Sequence, residues 1–119
     1  MSKLPESEET QLRRRRQALL AELARLELAI RGCAFERYSV CSRPQCRCHR
    51  GEKHGPRYYV AVTAGKRQRQ HYIPRAELEA VLEGVRQGHR LLELLDALTA
   101  VNLALMRGGR LGGEPSGDT

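Results

Sequence analysis

An α+β fold, with two long antiparallel, coiled-coil-like helices flanking a small β-hairpin insert, is what the sequence predicts, on three observations. Leucines recur at heptad spacing near both ends of the chain. All five aromatic residues (Phe35, Tyr38, Tyr58, Tyr59 and Tyr72) lie between residues 35 and 72, three of them in runs that alternate as strands do. Gly32 and Pro74 stand where the pattern changes, as stop signals do. At 119 residues the chain is one domain at most.

Residues 1–10, MSKLPESEET, read as a polar, disordered leader. From Gln11 to Arg31 there is no Pro or Gly, and Ala, Leu, Glu and Arg dominate, which predicts a first helix over 11–32. Leu12, Leu19 and Leu26 repeat every seven residues, with Leu23 and Ile30 as a second row. Residues 33–74 form the insert. Phe35–Val40 is a short strand candidate. Arg57–Thr63 and Arg67–Ile73 flank Ala64-Gly65-Lys66, which signals a hairpin. Tyr58, Val60 and Val62 share one face of the first strand; Arg67, Arg69 and His71 alternate with Gln68, Gln70 and Tyr72 along the second.

A second helix is predicted over 75–107, where Leu91, Leu94, Leu98, Val101 and Leu105 step by three and four. Gly84 and Gly88 lie near a change of phase and predict a kink or stutter. Residues 108–119 read as a disordered tail. Helices of about 30 and 50 Å would pair with the insert at one tip, leaving apolar surface on the longer one for a partner or a second copy.

The stretch CSRPQCRCHRGEKHGP (41–56) carries the chemistry. Zinc takes four tetrahedral ligands, chiefly thiolate and imidazole. Cys41, Cys46 and Cys48 supply three, with Pro44 helping the chain to turn. His54, beyond a turn containing Gly51, is the preferred fourth; Cys33 and His49 are alternatives and His71 a remoter one. His49 adjoins Cys48, which makes sharing one ion awkward. Arg43, Arg47 and Arg50 make the cysteines a poor apolar core, and no C-x-x-C accompanies a βαβ pattern, so burial and redox roles rank lower. Residues 33–74 are short of large apolar groups, and a structural zinc, worth about 10 kcal/mol or more in small peptides, would offset the entropy of ordering them. The insert is thus expected to be zinc-stabilised. Three thiolates and an imidazole leave no open position for catalytic water. The H-x-E that a zinc deaminase places before P-C-x-x-C is missing.

ERYSVCSRPQCRC, then HGP at 54–56, YYV, the IP before the last helix and the leucine-rich helix itself resemble a family of small prokaryotic proteins of unknown function, some labelled transposase-associated. The resemblance covers roughly residues 30–107. It implies Cys41, Cys46, Cys48 and His54 as the repeated Cys/His positions. His49 and Cys33 stand where the family usually has other residues, and Ser42 and Gln45 replace a usual Gly and Asn. A mobile-element context is implied and no settled activity.

Charge points to a partner class. Residues 35–75 hold ten Lys/Arg against two acids, a net +8, while the rest of the chain nets −1. Concentrated positive charge attracts a polyanion. The first expectation is a non-enzymatic, zinc-containing nucleic-acid-binding accessory protein, linked to a recombinase or nuclease machinery. Arg43, Arg47, Arg50, Lys53, Arg57, Arg67 and Arg69 would meet phosphates, DNA being favoured over RNA. The alternative is a coiled-coil adaptor, working as a homodimer or on a protein partner through Leu91, Leu94, Leu98, Val101 and Leu105. No Ser/His/Asp set, phosphate loop or carboxylate pair suggests an enzyme. The run RRRR at 13–16 reads as a solvated helix face, and His71 and His89 as surface residues. No apolar run suits a membrane span, and the polar N-terminus is unlike a signal peptide, so a cytoplasmic setting is expected.

Overall fold

The computed structural model describes residues 7–112. The expected leader up to residue 6 and the tail from residue 113 lie outside the described residues. In chain order come helix α1 (Glu8–Leu23), strands β1 (Gly32–Ser39), β2 (His54–Ala64) and β3 (Arg67–Ile73), and helix α2 (Leu78–Arg107), with short 3-10 turns at Arg47–Arg50 and Arg75–Glu77. The fold is α+β, but two long flanking helices are not what forms: α1 has 16 residues against 30 in α2. The insert is a three-stranded antiparallel sheet in the order β1-β2-β3 rather than a hairpin.

Helix α1 opens on Ser7, whose side chain accepts from the Thr10 backbone N–H at 3.1 Å, with Glu8 and Glu9 in the first turn where the helix dipole favours anions. It stops at Leu23, nine residues short of the predicted end at residue 32, although ARLELAI continues with good helix formers. Tertiary contact overrides propensity here. The Leu28 N–H donates to Gln87 Oε1 at 3.0 Å and the Ile30 N–H to the Gly84 carbonyl at 2.9 Å, so the chain lies extended along α2 and enters β1 at Gly32. Gly84 and Gly88 admit this approach. A Cβ on Gly88 would overlap the Ile30 carbonyl, and one on Gly84 would crowd Leu28 and Ile30. Helix α2 runs unbroken through both glycines, so they mark a backbone contact in place of the expected stutter.

The chain divides into two compact units. In one, α1 and the part of α2 from Arg90 onward enclose Leu19, Leu94, Val101 and Leu105, with Leu12, Leu23, Leu26 and Leu98 packed against them. Glu22 meets Arg90 at 2.6 Å, Arg16 meets Asn102 at 3.1 Å, and Arg13 donates to the Arg110 carbonyl at 2.7 Å. These pairs fix an antiparallel alignment. The expected partner seam is therefore occupied inside the chain: Leu94, Val101 and Leu105 are core, Leu98 packs on it, and Leu91 is half-buried. Arg13 and Arg16 of the basic run likewise serve this pairing.

The other unit, Leu28–His89, holds the sheet and the start of α2. Val60 and Ile73 pack on Val85, with Ile30, Ala34, Val62, Leu78 and Val81 around them. Helix α2 thus supplies the apolar partner that residues 33–74 lack.

Candidate metal centre

Antiparallel pairing builds the site. Register places Ser39 opposite His54, after a shift between Arg37 and Ser39. The end of β1 and the start of β2 thus lie side by side, and residues 40–53 form the loop that joins them. Within that loop Cys46 N–H donates to the Arg43 carbonyl at 3.2 Å, turning the chain about Pro44. Cys46 then leads the 3-10 turn Arg47–Arg50, which carries Cys48 inward until it is only 2% exposed. Gly51, at φ 105°, takes the left-handed conformation that ends the turn and sends the chain back to His54.

Four side chains converge. The Sγ atoms of Cys41, Cys46 and Cys48 and a ring nitrogen of His54 all lie within 4.8 Å of one another. Cys48 and Cys41 sulfurs are 3.6 Å apart, and Cys46 Sγ is 3.3 Å from His54 Nε2. A tetrahedral ion with metal–sulfur bonds of about 2.3 Å spaces its sulfurs about 3.7 Å apart. The Cys41–Cys48 and Cys46–His54 separations match that spacing, and the donor set as a whole is one that could hold a metal ion. The Cys41 backbone N–H donates to Cys48 Sγ at 3.2 Å, a bond that supports a thiolate.

The thiols are polarised unequally. The Cys48 backbone N–H, aided by contacts with the Cys48, Cys41 and His54 side chains, brings Cys46 down to about 7, whereas burial pushes Cys48 up. Of the alternative ligands, His49 turns Nε2 to the Cys41 carbonyl at 2.8 Å. Cys33 is exposed on β1 opposite Ala61, and His71 is exposed on β3 opposite Val60; neither joins the cluster.

The seven predicted phosphate-contacting residues do not share one surface. Arg43, Arg47, Arg50 and Lys53 are exposed on the metal-site loop, Arg47 lying 3.9 Å from Glu52. Arg57 faces Arg37 across β1 and β2. Arg67 and Arg69 pair with Ala64 and Val62, on the sheet face that also carries Val60 and Ile73. Tyr59 and Tyr72 lie on the opposite face, so the expected face of Arg and His beside tyrosines retains only Tyr58.

The sequence reading missed what stands beside Tyr59. Phe35 pairs with it in register and stacks on its ring at 5.8 Å, while Tyr72 meets it edge-on at 5.7 Å. Arg37 lies over the Tyr59 ring, 4.7 Å from the centroid, and donates to Gln70 at 2.6 Å. Alternation within β2 was visible. Pairing Phe35 with Tyr59 required β1 to be recognised as a full strand.

Among the described residues no helix is long and apolar enough to cross a membrane. No curated protein and no solved structure matches the chain. One family model matches residues 9–83, from α1 through the metal-site loop and the whole sheet into the start of α2. That span holds all four converging Cys/His residues and ends before the leucines at 91–105. The chain belongs to the family described as a domain of unknown function, DUF6788.

Proposed function

We propose that the chain is a non-enzymatic, zinc-containing nucleic-acid-binding accessory protein. The observation that carries this reading is coincidence: Cys41, Cys46, Cys48 and His54 converge inside the segment that holds the whole positive excess of the sequence. Zinc suits the set because soft thiolates with one imidazole select it and four protein ligands close its coordination. A closed ion supplies cross-linking rather than a reactive water. What this chain's residues do is hold the loop 40–53 in one shape, so that Arg43, Arg47, Arg50 and Lys53 stand exposed on an ordered scaffold instead of on a floppy one. Ordered cations lose less entropy on meeting phosphates. A mobile-element or recombinase partner is the setting that the family resemblance suggests, in a reducing cytoplasm where clustered thiols bind metal.

The test is binding of labelled DNA and RNA, single- and double-stranded, to the zinc-loaded chain at about 50 mM salt and upward. If about six phosphates are engaged on duplex, affinity falls steeply with salt, the logarithmic slope being about −5. Equal absence of binding to every nucleic acid at low salt rules the reading out. The adaptor alternative finds less support, because the leucines it invoked are occupied against α1.

A further inference from the structure

The sheet face turned away from α2 is aromatic, basic and open. None of its residues is buried, although Val60 and Ile73 on the other face are core. Phe35, Tyr59 and Tyr72 cross all three strands as one continuous row of rings, stacked and then edge-on. Tyr72 is 57% exposed, a large apolar surface to leave in water on a middle-of-chain strand. Arg37 and Arg57 stand opposite one another on the same face, and Glu36 points to the other. The face therefore carries cations and no carboxylate.

We propose that this face is a stacking platform for single-stranded DNA. The inference rests on the nucleic-acid-binding reading and deepens it: the loop cations supply phosphate attraction, and the rings supply what a duplex cannot use. Bases in a duplex present only their edges, whereas an unpaired strand offers π faces that lie on aromatic rings and guanidinium planes. A base placed on Tyr72 has Arg37 beside it, since Arg37 already covers the Tyr59 and Phe35 rings and is held in place by Gln70. Positive charge without an opposing acid matches the phosphate that follows each base. DNA is chosen over RNA because the recombinase setting proposed above acts on DNA.

The full zinc-loaded chain would be titrated against labelled oligo(dT) of about 15 nucleotides, the matching oligo(U) and a mixed-sequence duplex. Tyr72→Ala, Tyr72→Phe and Arg43→Ala/Arg47→Ala would be run in parallel, with zinc content and circular dichroism confirming that each folds. Tyrosine emission gives an internal readout, since the chain has no tryptophan. The expected result is tighter binding of oligo(dT) than duplex, tyrosine quenching on binding, a loss of about 5- to 100-fold for Tyr72→Ala, and retention for Tyr72→Phe. The loop double variant should weaken single strand and duplex alike. If duplex binds and Tyr72→Ala changes nothing, the platform is overturned while the nucleic-acid-binding reading stands. Tighter binding of oligo(U) overturns the assignment to DNA. Self-association that Tyr72→Ala abolishes, with no effect on oligonucleotide, shows that a second copy covers the face and also overturns the platform. Failure of every probe removes both readings together.

Discussion

Cys46 Sγ and His54 Nε2 stand 3.3 Å apart, and that separation makes His54 the candidate fourth ligand. His54→Ala should lower zinc affinity by at least the roughly 10- to 100-fold that loss of a mere outer-shell partner costs, read by competition with a chromogenic chelator. His49→Ala should leave it nearly unchanged, since the His49 ring is turned to the Cys41 carbonyl. Equal effects of the two would exclude the assignment. The spacing of Cys41, Cys46 and Cys48 made three members of the cluster legible in the sequence, and the turn at Gly51 favoured His54. The ring row was not legible, because Phe35 and Tyr59 are 24 residues apart and meet only through a strand register that the shift after Arg37 helps to set. A second residue-scale prediction concerns Glu22, whose carboxyl Arg90 holds below its ordinary 4.5 through a hydrogen bond. Its folded value is the lower one, so the stabilisation is complete above 4.5 and fades as pH falls through the depressed value. Glu22→Gln should therefore melt slightly lower than the parent near neutral pH, and the two should converge in acid. Both groups are well exposed, so the gap will be small.

At the scale of elements, α2 serves two cores in succession, and its substitutions separate by face. Leu94, 1% exposed, should cost about 2–5 kcal/mol on truncation to Ala, whereas its neighbour Leu95, 47% exposed, should cost within about 0.5 kcal/mol. Denaturant midpoints measure both. Gly88 offers the sharper contrast. Helix propensity alone would have Gly88→Ala stabilise the chain by about 1 kcal/mol. The added methyl would instead overlap the Ile30 carbonyl, so the variant should be destabilised by about 1–3 kcal/mol. A rise in stability would mean that the 28–30 segment does not lie on α2. These glycines also explain the misjudged helix boundary. Periodicity in Leu12, Leu19, Leu23 and Leu26 was visible, and all four do pack on one core. What stopped α1 at Leu23 was a backbone contact with residues almost sixty positions away, which no local pattern carries.

For the whole molecule, the candidate metal site and the apolar packing lie in different places. The sequence suggested that the insert could not fold without zinc. Val60 and Ile73, packed on Val85, give the sheet a core of its own, so a metal bound by the Cys/His cluster would chiefly order the loop 40–53. Chelation should then expose amides of that loop to hydrogen exchange while those of β2 and β3 near Val60 and Ile73 stay protected. Collapse of the whole sheet would show that the metal holds more than the loop. The central claim, that a zinc-ordered basic module binds nucleic acid, is tested most directly by one titration: anisotropy of a labelled oligonucleotide against the zinc-loaded chain, repeated after chelation and after zinc is restored. Binding that weakens at least about tenfold without metal and recovers with it is the predicted result, since four loop cations lose their fixed positions. No binding by the loaded chain, or binding indifferent to the metal, would contradict the account.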